Sequence, residues 1–144
     1  MGKSKLIDVS AILLFICALD LLLFGLLYVV LEFCPFQLQY LGMTWADIVA
    51  LDADLALMVS VTYRLAGFGW ISIVLGMFLV LFKGYLNGEK WAWWYMLFVG
   101  GPIFLSASIL IPLDFGIALY IIWMTTVLWI LALLIGAKEI LMAE

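Results

Sequence analysis

The sequence of 144 residues lacks histidine altogether, contains two cysteines and has only 11% charged residues. Without histidine the chain lacks the commonest protein ligand for haem, zinc and copper, so we expect no metal site and no cofactor. No CxxC motif is present, which disfavours thiol–disulfide chemistry. The formal net charge of −4, together with the lack of a basic patch, disfavours nucleic acid as a partner.

The chain is instead rich in apolar residues. Hydrophobic residues make up 69% of it, and the mean hydropathy is +1.34. An ordinary soluble domain is about 45–50% apolar and about 25% charged, so this chain has more apolar surface than one small core can bury. These values exclude a water-soluble globule and a disordered chain, and we expect an integral membrane protein.

Four stretches of the sequence are long and apolar enough to cross a bilayer, whose core of about 30 Å requires about 20 helical residues. They cover residues 10–31, 57–82, 91–111 and 117–137. Each is a continuous apolar run rather than one of the alternating segments that form a membrane barrel. The sequence therefore predicts an all-α fold, in which residues 1–144 form a single transmembrane domain. We expect a four-helix bundle built from two antiparallel hairpins.

The basic residues predict the orientation of this bundle in the cell membrane. Once the four spans alternate, five of the six basic residues fall on one side: Lys3, Lys5, Lys83, Lys90 and Lys138. Because lysine and arginine accumulate in cytoplasmic loops, we expect both termini in the cytoplasm.

Tryptophan residues lie near the expected boundaries of the spans. Trp91, Trp93 and Trp94 fall at the inner boundary, and Trp45 lies in the outer loop. Amphipathic rings favour the headgroup zone, so we expect these side chains to anchor the protein rather than to stack on a ligand.

The outer loop, residues 32–56, is the only sizeable connection. Thr44 and Asp47 have the spacing of a capping-box variant, which predicts a short helix through about Leu51 that lies on the membrane surface. The following span begins after carboxylates that can cap it. The alternatives for this loop are a docking site for a partner or a loose cation site, although its acidic residues match no EF-hand spacing.

Two ionisable residues fall within the apolar spans, Asp20 in the first and Arg64 in the second. A charge at the centre of a membrane helix costs about 2.5–3.5 kcal/mol on insertion scales. In antiparallel neighbouring helices these side chains approach each other, so we expect an Asp20–Arg64 ion pair that locks the first hairpin. Two alternatives stay open. The pair forms a substrate, lipid or proton site, or Arg64 extends outward to Asp114 or a headgroup while Asp20 stays protonated.

Two groups of small residues mark expected helix contacts, because small side chains let membrane helices approach closely. The group in the second span consists of Gly69, Ser72 and Gly76. The group in the third span consists of Gly100, Gly101 and Pro102. The proline predicts a kink, since it removes a backbone hydrogen bond and clashes with the preceding turn. We expect both groups to pack within the bundle, with contacts to another subunit as the alternative.

No catalytic motif is present, neither GxSxG nor HExxH nor a phosphate-binding loop, so we do not expect an enzyme. The large apolar surface favours a structural or accessory subunit that packs against lipids, other membrane proteins or copies of itself. The alternative is a small oligomeric transporter or lipophilic-ligand-binding protein that uses Asp20 and Arg64.

The single carboxylate in the first of four helices, Asp20, resembles the arrangement in small multidrug exporters. This resemblance covers one residue and implies an oligomeric transporter. The chain departs from the pattern in using aspartate rather than glutamate, in its longer outer loop and in its strong lysine bias.

Overall fold

The computed structural model describes residues 5–110 and 116–142, and within these ranges the chain forms helices and no strand. The six α-helices are α1 (Lys5–Val30), α2 (Pro35–Leu41), α3 (Trp45–Leu51), α4 (Ala53–Lys83), α5 (Lys90–Leu110) and α6 (Ile117–Ile140). A 3₁₀ turn, Tyr85–Asn87, connects α4 to α5. By length and composition, α1, α4, α5 and α6 are each able to cross a membrane. The expected all-helical class and the four long apolar helices are therefore confirmed.

The long helices extend beyond the apolar stretches that predicted them. Helix α1 already includes Lys5 and α4 begins at Ala53, both before the predicted starts. Hydropathy marks the apolar part of a helix, whereas capping determines where its backbone begins. At the start of α4 the Asp52 carboxylate accepts the amide protons of Asp54 and Leu55, each at 3.0 Å. Asp52 is therefore the cap of this helix.

The segment between α1 and α4 folds into two short helices where the sequence predicts one. Helix α3 begins at the expected capping box. The Thr44 hydroxyl accepts from the Asp47 amide at 3.3 Å, and the Asp47 carboxylate accepts from the Thr44 amide at 2.8 Å. Helix α2 was not expected. It begins at Pro35, a residue suited to the first helical position, and ends before Gly42 at φ +64°.

Helix α1 makes the most extensive contacts of the bundle. It packs against α4 and α6, and α5 packs against α6. The core lies where these four helices meet, around side chains such as Leu14, Met77, Met96 and Trp129. This arrangement leaves the other faces of the long helices covered with exposed apolar side chains.

A close contact between α1 and α4 occurs at two glycines that the sequence did not single out. A Cβ atom built on Gly67 would lie 2.7 Å from the carbonyl oxygen of Gly25. The expected contact residues of α4 lie elsewhere. A Cβ atom built on Gly69 would have no neighbour within 4 Å, Ser72 is exposed, and Gly76 faces the Tyr95 hydroxyl. The α1–α4 contact therefore uses Gly67 rather than these three residues, of which Gly76 lies against α5.

Helices α5 and α6 meet at the predicted pair of glycines in α5. Gly100 and Gly101 are buried beneath the ring of Trp129, whose Nε1 would lie 2.7 Å from a Cβ atom on Gly100. Pro102 follows inside the helix, and α5 continues through it to Leu110. A bend at this proline stays a prediction.

Candidate functional site

A partly enclosed cavity of about 440 Å³ lies between α1, α2, α4, α5 and α6. Most of the atoms that line it are apolar. Its aromatic side chains come from four of the five helices: Phe24, Tyr28, Phe36, Trp70 and Phe104. The cavity lies toward the end of the bundle that carries α2, because Cys34, Phe36 and Gln37 form part of its wall. It is therefore a largely aromatic cavity covered at one end by the α2 segment.

Asp20 is the one charged side chain among the described residues that line this cavity. It is half-buried on α1, and the Thr125 hydroxyl of α6 donates to its Oδ2 atom at 2.9 Å. The carbonyl oxygen of Ile121 lies at the same distance from that hydroxyl, as a second acceptor for its single proton. Nearby on α1 the Cys17 thiol donates to the Thr125 carbonyl at 3.5 Å. The contact between α1 and α6 thus positions the carboxylate at the cavity wall.

The structure does not bring Asp20 and Arg64 together. Within the two described ranges neither residue takes part in an ion pair, and Arg64 is exposed on α4. The reason is the rotation of the helix. The ring of Tyr63 faces α1, with its centroid 4.5 Å from that of Tyr28. Because consecutive residues lie about 100° apart around a helix, Arg64 lies to the side of this contact, where it is exposed. The expected ion pair is not formed, and Asp114 lies outside the described residues.

A row of five aromatic rings connects the cavity wall to α3. The centroid of Trp70 lies 5.1 Å from that of Tyr28, and Tyr28 lies 4.5 Å from Tyr63. Tyr63 lies 4.9 Å from Phe33, which lies 5.8 Å from Trp45. These separations are typical of aromatic pairs that attract each other. The row attaches α3 to the bundle, and two of its rings, Tyr28 and Trp70, line the cavity.

Gln37 of α2 is a polar residue of the cavity wall that the sequence did not indicate. Its Oε1 atom is buried and accepts no hydrogen bond from the described residues. An unsatisfied buried acceptor costs about 1–3 kcal/mol, so a donor placed beside it would stabilise the structure. Among the mostly apolar residues of the wall, Asp20 is charged, and Gln37, Ser106 and Thr125 are neutral polar residues.

The expected tryptophan anchors fall into different environments. Trp91 and Trp94 are exposed, and Trp45 is half-buried. Trp93 differs from the expectation, because it is only 8% exposed and its Nε1–H donates to the Leu133 carbonyl at 2.9 Å. Its ring belongs to the contact between α5 and α6, since a polar N–H on a buried ring requires a partner.

Two of the acidic residues of the outer loop form helix caps. Asp47 caps α3 and Asp52 caps α4. Within residues 5–110 and 116–142, no group of three or more His, Cys, Asp or Glu side chains could hold a metal ion.

Comparisons of this chain with protein-family models, with curated proteins and with solved structures gave no match. The chemistry of the cavity is therefore the basis for assigning a function.

Proposed function

We propose that this protein is a multi-pass membrane protein that binds a lipophilic small molecule in the cavity beside Asp20. The observation that carries the proposal is the cavity itself. Its volume of about 440 Å³ falls within the range of about 300–1,000 Å³ that is usual for small-molecule sites. Apolar and aromatic walls with a few polar groups are also usual in such sites.

In the proposed arrangement α1, α4, α5 and α6 cross the cell membrane as two antiparallel hairpins. The termini and the 3₁₀ turn lie in the cytoplasm, because Lys5, Lys83, Lys90 and Lys138 lie at that end of the bundle. Helices α2 and α3 then lie at the outer interface. The cavity, which α2 partly covers, opens within the outer half of the bundle.

The proposed activity is binding without catalysis. Among the described residues of the wall, Asp20 is the single carboxylate, and the chain has no histidine. General acid–base catalysis usually requires a second group of matched geometry. One carboxylate in an aromatic cavity instead suits recognition of a polar group on an apolar molecule.

A second candidate role, as an accessory subunit, is favoured by the exposed face of α4. A Cβ atom built on Gly69 would have no neighbour within 4 Å and Ser72 is exposed, so this part of the small-residue face is open among the described residues. Small residues on a membrane helix let another helix approach closely. Co-purification of a larger membrane complex at fixed stoichiometry would support this role.

The binding proposal can be tested with a neutral aromatic probe, 4-(trifluoromethyl)benzyl alcohol, observed by ¹⁹F NMR. The protein is placed in nanodiscs of phosphatidylglycerol, and empty discs measure partition into lipid. We expect saturable binding to the wild type. Ala107→Phe should weaken it about tenfold or more, because Ala107 lines the cavity and a phenyl group there occupies its volume.

The matched control is Ala66→Phe, which adds the same group to the exposed surface of α4. This variant should bind the alcohol as the wild type does. Non-saturable binding to the wild type, or equal loss in both variants, would contradict the proposed cavity site.

A further inference from the structure

We infer that the occupant of the cavity carries an ammonium group on an apolar body, with Asp20 as its counter-ion. This inference rests on the proposed binding function and specifies the ligand class. It depends on three features of the cavity: an unbalanced carboxylate, hydroxyls whose protons are already donated elsewhere, and aromatic walls.

The carboxylate of Asp20 has no positive partner within the described part of the chain. Its Oδ2 atom accepts from Thr125, while Oδ1 accepts no hydrogen bond from any described residue. A half-buried carboxylate is costly unless a cation or several donors surround it. The predicted partner Arg64 is exposed on α4 and forms no ion pair with Asp20. A cation that binds from outside the chain would therefore supply the positive charge missing beside Asp20.

The other polar groups of the wall favour a donor as well. The Ser106 hydroxyl already donates to the Ile103 carbonyl of its own helix at 3.1 Å, and the Thr125 hydroxyl proton is also in use. An ammonium group offers several N–H donors to such acceptors, whereas a carboxylate or phosphate would be repelled by Asp20.

The aromatic walls favour an organic cation over a metal ion. Phe24, Tyr28, Trp70 and Phe104 can contact an apolar body, and their ring faces attract a cation. Calcium, in contrast, takes six to eight oxygen ligands. The described residues of the wall include one carboxylate, so they lack the oxygen ligands that calcium requires.

An ammonium group on an apolar body could come from a free lipophilic amine or from an amine-bearing lipid headgroup. The chemistry at Asp20 is the same for both. Adding phosphatidylethanolamine to the discs distinguishes these two sources.

The test compares 4-(trifluoromethyl)benzylamine with the alcohol of the same shape, in the same phosphatidylglycerol discs at pH 7. Phosphatidylglycerol has no ammonium group, and empty discs correct for partition of the charged probe. We expect the wild type to bind the amine about tenfold to hundredfold more tightly than the alcohol, as for hydrogen bonds to a charged group.

Asp20→Asn should abolish this preference while the alcohol still binds saturably, whereas Asp20→Glu should retain the preference. The matched control is Asp54→Asn, which removes an equal charge from the exposed start of α4 and should keep the preference. Retained binding of the alcohol demonstrates that the Asp20→Asn variant is folded.

Equal affinities of the wild type for amine and alcohol would overturn the inference, as would a preference that persists in Asp20→Asn. Failure of the alcohol to bind the wild type would instead contradict the proposed cavity function. Added phosphatidylethanolamine that competes with the amine in the wild type supports the inference with a lipid headgroup as the source. Unchanged amine binding supports it with a free amine as the source.

Discussion

Gly67 illustrates how single residues determine the contact between α1 and α4. A Cβ atom at this position would lie 2.7 Å from the Gly25 carbonyl oxygen and 2.9 Å from side-chain atoms of Tyr28 and Val29. The nearest obstacle is backbone, which cannot move aside as a flexible side chain can. Because Tyr28 also forms part of the cavity wall, this glycine fixes the α1–α4 contact next to the proposed binding site.

We therefore expect Gly67→Ala to destabilise the protein by about 1–3 kcal/mol, the usual cost of overpacking. Gly69→Ala is the matched control, because a Cβ atom there has no neighbour within 4 Å. It should change the free energy of unfolding by less than about 0.5 kcal/mol. Unfolding by sodium dodecyl sulfate in mixed micelles, followed by circular dichroism, measures both values. Equal stabilities of the two variants would contradict the close contact.

Asp20 shows which part of the site could be predicted from the sequence. A carboxylate in an apolar stretch indicates a polar position within a membrane helix, and the structure places it at a cavity wall. Its partner could not be predicted, because spacing along a helix gives depth but the rotation of each helix depends on packing. The close Gly25–Gly67 contact and the ring of Tyr63 turn Arg64 away, and Thr125 contacts Asp20 instead.

At the scale of helices, local signals account for what the sequence predicts and what it misses. The capping box at Thr44 predicts α3 because both of its hydrogen bonds are local. Helix α2 has seven residues, too few for an apolar periodicity to stand out. Gln37 and Phe36 lie on this short helix, so the sequence did not predict their place in the cavity wall either.

The capping box of α3 is also sensitive to pH. The Thr44 hydroxyl donates to Asp47 Oδ2 at 2.7 Å, and the Thr44 amide donates to the same atom. These two donors hold the pKa of Asp47 below its ordinary value of 3.8, with the hydroxyl as the larger cause. A lowered pKa in the folded state means that the cap contributes stability above pH 3.8 and loses it as the pH falls through the lower, folded value.

Replacement of Thr44 by valine removes the hydroxyl and retains the backbone amide. We expect the pKa of Asp47 to rise toward 3.8 in Thr44→Val but to stay below it, because one donor remains. Carbon-detected NMR titration of the Asp47 carboxyl in detergent micelles measures this value. An unchanged pKa in the variant would show that the hydroxyl does not stabilise the carboxylate.

At the scale of the whole molecule, apolar side chains cover the outer faces of all four long helices. Leu57, Phe98 and Leu134, for example, are each more than 60% exposed. Contiguous apolar surface of this extent is unstable in water and suits a hydrocarbon environment. The described lysines lie near the ends of these helices. The apolar surface therefore favours insertion, and the lysines determine the orientation.

The proposed orientation predicts opposite accessibility for α3 and for the turn before α5. In a Cys17→Ala/Cys34→Ser background, single cysteines replace Ala46 or Glu89, which are both exposed. A membrane-impermeant maleimide should label the Ala46→Cys variant in sealed right-side-out vesicles, because α3 lies at the outer interface. It should label Glu89→Cys in inside-out vesicles, since that residue lies beside the cytoplasmic 3₁₀ turn.

Labelling of both variants in detergent is the control for reactivity of each introduced thiol. The reverse pattern in vesicles would contradict the cytoplasmic termini and place the cavity in the inner half of the bundle. Its ligand would then enter from the cytoplasmic leaflet, although the contacts of Asp20 would be unchanged. Equal labelling from both sides would instead indicate that the chain inserts in two orientations, against the bias of its lysines.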